Sequence, residues 1–137
     1  MHNAQWAAHE KENNNITMRE DKDNLIVQKS KAFAIRCVNL YKFLIDNRNE
    51  YVMSKQLLRC GTSIGANVKE AMRGQSKADF GAKMNIALKE ANETEYWLEI
   101  LQETEFLTQE QAESILSDCR EILKLLTSIV KSTFTNN

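Results

Sequence analysis

Apolar residues recur every three or four positions in four runs along this chain, separated by short polar stretches. That is the period of amphipathic helices. The first run spans about Leu25 to Asp46, with Ile26, Phe33, Cys37, Leu40, Tyr41 and Leu44 on one face and Asn24 placed as an N-cap. Asp46 to Glu50 is a polar connection. The second run, about Val52 to Arg73, has an apolar arc of Met53, Leu57, Cys60, Gly61, Ile64, Gly65, Val68 and Met72. Gly61 and Gly65 each cost roughly 1 kcal/mol relative to Ala in a helix. Inside an apolar arc they predict close approach of a neighbouring helix, and Gly74 supplies a stop. The third run starts at Ser76, whose spacing to Asp79 resembles a capping box, and ends near Gln102 or Glu103. Phe80, Met84, Ala87, Ala91, Thr94, Leu98 and Leu101 form its seam. The fourth starts at Thr108, with Gln111 completing a T-x-x-Q box, and carries Ala112, Ile115, Cys119, Ile122, Leu126 and Ile129. Leu116, Leu123 and Val130 widen that face, and the pattern fades near Ser132.

Four long helices with short connections and no strand-like alternation predict an all-α, up-down-up-down four-helix bundle over residues 25–134. Residues 1–24 are polar, Asn-rich and without apolar period, so a disordered tail is expected there. At 137 residues the chain is one domain's worth, long enough for a core without staples. The three cysteines, Cys37, Cys60 and Cys119, fall on apolar faces and read as reduced core residues. Such cysteines are those expected of a cytoplasmic protein, and no membrane span or signal-peptide stretch is expected.

The net charge of −1 hides an asymmetry. Residues 1–24 carry −2, residues 25–89 carry +8 and residues 90–137 carry −7. Either the basic half meets an anionic partner, or the two halves attract each other within or between subunits.

Candidate chemistry is sparse. The only histidines, His2 and His9, lie in the tail, so the bundle lacks the commonest general base and metal ligand. No Glu-x-x-His pair is present for a di-iron site, and Gly61 to Gly65 is not a P-loop. No catalytic residue, metal or cofactor is expected, and the protein reads as a non-enzyme. Three surfaces remain. Gln56, Ser63, Asn67 and Glu70 on the second helix, with Lys83 and Glu90 on the third, border the apolar face. They predict a charge-paired seam between helices or subunits, in which a half-buried Glu70 needs a partner. Ala82, Ile86, Trp97 and Ile100 form a second apolar strip with Trp97 at its centre, which predicts a self-association surface. Lys55, Arg59, Lys69 and Arg73 make a basic stripe suited to phosphates.

These residues are also familiar together. Gln56-Leu57-Leu58-Arg59, Ser63-Ile64-Gly65-Ala66-Asn67, Glu70-Ala71, Asp79-Phe80, Lys83-Met84, Ala87-Leu88-Lys89-Glu90 and Glu93-Thr94-Glu95-Tyr96-Trp97-Leu98 resemble the 23S rRNA intervening-sequence protein family, also called S23-type four-helix bundle proteins. The resemblance covers about residues 25–132. It implies a small bacterial bundle assembling as a toroidal homopentamer, with members encoded inside insertions of large-subunit rRNA genes. A related branch, the accessory variability proteins of diversity-generating retroelements, binds nucleic acid and a reverse transcriptase and is strongly basic. This chain departs from that branch, because residues 25–137 sum to only +1. The expected partners are therefore a second copy of the chain, structured RNA or another nucleic acid, or a protein held on the ring as a scaffold.

Overall fold

The computed structural model describes the backbone of residues 4–135 and the side chains of residues 20–135. Four helices follow one another: α1 Ala4–Arg48, α2 Met53–Ala71, α3 Lys77–Glu103 and α4 Gln109–Thr135. Each packs on the next in sequence, and α4 returns to α1, so the four close a ring around one core. No packed seam joins α1 to α3 or α2 to α4 among the described residues. This is the up-down bundle that the apolar period predicts.

The predicted seams form the core. Ile26, Phe33, Cys37 and Leu44 of α1, Leu57, Cys60, Ile64 and Val68 of α2, and Met84, Ala87, Ala91, Leu98 and Leu101 of α3 are all buried. So are all six seam residues of α4, from Ala112 to Ile129. The polar residues in this core bond to their own helix. The hydroxyls of Ser30, Thr94 and Thr133 donate to the carbonyls of Val27, Glu90 and Ile129, so their burial leaves no donor unmatched. All three cysteines are buried and free. Burial pushes the Cys60 thiol up to about 11 and the Cys119 thiol up to about 12, and raises Cys37 as well. Thiols held this far above neutrality are poor nucleophiles.

The two glycines of α2 do what their position predicts. A Cβ on Gly61 would run into the Cys37 side chain, and one on Gly65 would sit 3.2 Å from the Ser30 carbonyl oxygen. α1 therefore lies directly against the α2 backbone at two levels, through the Cys37 side chain at Gly61 and the Ser30 carbonyl at Gly65. Gly74 acts differently from expectation. No glycine has positive φ, so it does not end α2 by left-handed geometry. Its hydrogen faces the Ala71 carbonyl, the Phe80 amide and Asp79, where a Cβ would crowd all three.

Several boundaries differ from the sequence reading. α1 begins at Ala4, not near Leu25, and Asn24 is an interior residue rather than a cap. No glycine or proline interrupts residues 1–48, so nothing stops the helix there. The expected disordered tail falls largely on residues 1–19, including Trp6, whose side chains lie outside the described residues. Met72, expected in the core, is the exposed C-cap of α2. The two other caps form as expected. Ser76 accepts from the Asp79 amide at 3.0 Å, and Thr108 and Gln111 bond reciprocally at 3.0 and 3.1 Å.

Glu50 is the residue that the sequence reading passed over. It sits in the connection between α1 and α2, yet it is buried. Its carboxylate accepts the amides of Val52, Met53 and Ser54 at 3.0, 2.9 and 2.6 Å, and the Ser54 hydroxyl donates to its carbonyl at 2.9 Å. It is the cap of α2, reached from outside the usual cap position. Burial alone would raise its carboxyl, but the amides of Met53, Ser54 and Val52 outweigh burial and hold it below the usual range.

Replacing Glu50 by Ala is expected to cost about 2 kcal/mol in urea unfolding. Because the folded carboxyl titrates below its unfolded value, its contribution is complete above the unfolded pKa and is lost as pH falls through the folded one. Wild type should therefore lose stability between pH 5 and 3 more steeply than Glu50→Gln, and parallel curves would refute the capping role. Glu105 ends α3 with φ +67°, a conformation costing about 1–2 kcal/mol for a residue with a Cβ. Glu105→Gly is expected to raise the melting temperature by a few degrees; a lower one would contradict this.

Candidate functional site

The charge asymmetry resolves into a pattern of ion pairs. Lys29 and Arg36 on α1 reach across to Glu121 and Asp118 on α4, at 2.8 and 2.6 Å. Arg36 also donates to the carbonyl and hydroxyl of Ser114. On the opposite side of the bundle, Arg59 on α2 meets Glu90 at 3.2 Å and also Glu93, both on α3. These four contacts join the basic part of the chain, residues 25–89, to the acidic part, residues 90–137. Within the parts, Lys83 pairs with Glu70 at 3.1 Å, and Arg120 pairs with Glu95 and Glu99 at 3.1 and 3.6 Å. Much of the asymmetry is therefore satisfied inside one chain.

The polar border separates into two kinds of contact. Glu70 with Lys83, and Glu90 with Arg59, bridge α2 and α3. Asn67 donates its amide to the carbonyl and hydroxyl of Ser63, at 2.9 and 3.1 Å, and so acts within α2. Gln56 is exposed. Glu70 is not half-buried: its side chain is 60% exposed. It lies at the rim, where water screens the pair, so Lys83 is not needed to offset a desolvated charge.

The apolar strip of α3 also divides. Ala82 and Ile86 are exposed, Ile86 by 41%. Trp97 and Ile100 are half-buried, and Trp97 packs against the core. The exposed neighbour that the sequence reading missed is Tyr96, 57% exposed and edge-on to Trp97 with ring centroids 5.3 Å apart. The Trp97 indole N–H is buried with no hydrogen-bond acceptor among the described residues. Buried indole N–H groups usually find one.

The basic stripe loses one member and keeps three. Arg59 is engaged by Glu90 and Glu93. Lys55, Lys69 and Arg73 are exposed, and none has an ion pair among the described residues. Periodicity gave the phase of these residues on α2. It carried no signal for Arg59's engagement, which depends on the register between α2 and α3.

Other features offer less. A groove of about 450 Å3 opens between α1 and α4, floored by Leu40, Phe43, Leu107 and Ile115. Its guanidinium, Arg36, is held by Asp118 and Ser114. Among the described residues no three His, Cys, Asp or Glu side chains are grouped to hold a metal ion. No helix is long and apolar enough to cross a membrane.

The Glu70–Lys83 pair and the Arg59 pairs should behave as exposed contacts. Lys83→Ala is expected to shift the midpoint of thermal unfolding by no more than about 2 °C. A larger loss would mean that the pair is buried in an assembly.

Comparison with known proteins places the chain. The model of a family described as 23S rRNA-intervening sequence protein matches residues 22–128. The crystal structure of a protein of unknown function, from the S23 ribosomal protein family of Bacteroides thetaiotaomicron VPI-5482, superposes with a TM-score of 0.79. It is 64% identical, and the match covers 80% of this chain and 98% of that one. No curated protein matches the chain.

Proposed function

The chain belongs to the 23S rRNA-intervening sequence protein family, and from that premise we propose that it is a non-enzymatic, self-associating bundle that binds structured RNA through the basic face of α2. The observation that carries this reading is the unpaired state of Lys55, Lys69 and Arg73. Lys29, Arg36, Arg59, Lys83 and Arg120 are ion-paired, whereas these three are exposed with no ion pair among the described residues. Exposed cations on one face attract phosphates and release counterions on binding, so affinity falls with salt. The overall charge of −1 makes this a local property of one surface and not a general affinity for polyanions.

Self-association is the companion reading, with a homopentamer as the family's expected form. Ile86 and Tyr96 are large apolar groups left in water, and the Trp97 indole beside Tyr96 lacks an acceptor. A second copy seated on α3 would cover Ile86 and Tyr96. The same ring is compatible with a protein scaffold, or with an accessory role beside a reverse transcriptase. The surfaces of α2 favour RNA.

RNA binding is tested by titrating a structured RNA at several salt concentrations, with wild type and with Lys55→Gln/Lys69→Gln/Arg73→Gln. The salt slope should become shallower by about three in the triple variant. Equal, negligible binding by both would favour the scaffold. Assembly is tested by light scattering at micromolar concentration. Ile86→Asp should lower the mass without loss of helicity, and a monomeric wild type would refute self-association.

A further inference from the structure

The seam between α1 and α2 differs in charge from the rest of the surface. α1 holds no acidic residue from Asn24 to Ile45, and none occurs from Tyr51 to Lys69. The four cations of α1 in that stretch divide between two sides. Lys29 and Arg36 turn to α4 and are neutralised there. Lys31 and Lys42 are exposed, with no ion pair among the described residues. They lie roughly 120–160° round the helix from Lys29 and Arg36, which turns them outward on the side away from α4. On α2, Lys69 lies within roughly 40° of Gly65, and Lys55 and Arg73 within roughly 80°. Gly65 faces α1, so Lys69 turns outward on the side nearer α1, while Lys55 and Arg73 point away from the buried arc of α2, between Lys69 and the α3-paired Arg59.

The close approach of the two helices fixes their register. Gly61 stands against Cys37, and Gly65 against Ser30. Counting along antiparallel helices, Lys42 is level with residues 53–56, and therefore with Lys55. Lys31 is level with residues 64–67, roughly 3–8 Å along the axis from Lys69. The lysines thus form two rungs across the seam, about 16–21 Å apart. Arg73 extends the second rung by one turn. Between the rungs the surface carries exposed Ile35 and Ala66 and half-buried Thr62 and Tyr41, and the nearest exposed aromatic, Tyr51, lies just beyond the Lys42–Lys55 rung.

This arrangement favours a duplex over a single strand. Single strands are gripped by stacking bases on exposed aromatics, and the face has none between its rungs. A duplex needs only cations set to meet phosphates, over a surface shallow enough to approach. In A-form helices the minor groove is wide and shallow and is recognised by shape, phosphates and 2′-hydroxyls. We infer that the α1–α2 face sits astride the minor groove of an A-form RNA duplex, with the Lys42–Lys55 rung on one strand's phosphates and the Lys31–Lys69–Arg73 rung on the other's. This deepens the RNA reading above and rests on it. It adds Lys31 and Lys42, and it names the form of nucleic acid.

The test uses the full chain with a 20-base-pair RNA duplex, the corresponding DNA duplex and one RNA strand alone, each titrated at several salt concentrations. Wild type should bind the RNA duplex more tightly than either other probe. Lys31→Gln/Lys42→Gln should flatten the duplex salt slope by about two, with unchanged circular dichroism and melting, and Lys31→Arg/Lys42→Arg should keep the wild-type slope. If the α2 triple variant loses binding while the α1 double variant does not, the two-rung face is wrong and the α2 reading survives. Equal binding to the DNA duplex, or tighter binding to the single strand, overturns the assignment to an A-form groove. Absence of binding by wild type to all three probes overturns the RNA reading itself. If the lysine changes alter only the oligomeric mass, the face is a subunit contact.

Discussion

Two hydrogen atoms on α2 set the geometry on which the rest of this bundle depends. Because Gly61 and Gly65 lack Cβ atoms, the Cys37 side chain and the Ser30 carbonyl can come against the α2 backbone. Helices with larger side chains at such contacts stand about 8–10 Å apart, and the steric argument for small residues is that they allow closer approach. The intimacy of α1 and α2 fixes their register and orients both helices toward the core. It also decides which cations stand side by side on the outer surface. Here a packing constraint becomes an electrostatic one, since the level of Lys42 with Lys55 follows from the level of Cys37 with Gly61.

The second organising fact is the partition of charge. The acids of α4 take Lys29 and Arg36, and the acids of α3 take Arg59. Each bridge is exposed and contributes little to stability on its own. Their collective effect is one of location. They neutralise the flanks of the basic half, while Lys31, Lys42, Lys55 and Lys69 on the outer face of α1 and α2 have no ion pair among the described residues. A protein of net charge −1 can thus present a confined basic surface, while its apolar strip on α3 lies on a helix that shares no packed seam with α1. Assembly through α3 and ligand binding through α1 and α2 are therefore geometrically compatible.

The fold was legible because it depends on residues three and four apart in one helix. Phe33, Leu57, Leu98 and Ile122 announce their burial through phase alone, and Ser76 and Thr108 announce their caps through local spacing. The site was legible only in part, since its properties depend on relations between helices. The engagement of Arg59 requires knowing that Glu90 and Glu93 stand opposite it. The exposure of Glu70 requires knowing how far α3 reaches round α2. Lys31 and Lys42 gave no signal, because a wheel drawn for α1 does not say what lies beside it. Glu50 escaped for another reason: a carboxylate that caps a helix from a connecting loop looks like any polar loop residue until its three amide partners are placed. The long start of α1 escaped because polar residues without a breaker leave no mark of where a helix begins.

The account stands on the claim that the α1–α2 face is where this protein meets RNA. The most direct measurement is to crosslink the wild-type protein to a bound RNA duplex through its lysines and to map the modified peptides by mass spectrometry. The account predicts protection and crosslinking at Lys31, Lys42, Lys55 and Lys69, with Lys89 and Lys124 unmodified by the RNA. Crosslinks concentrated on α3 and α4, with Lys31 and Lys42 untouched, would contradict it.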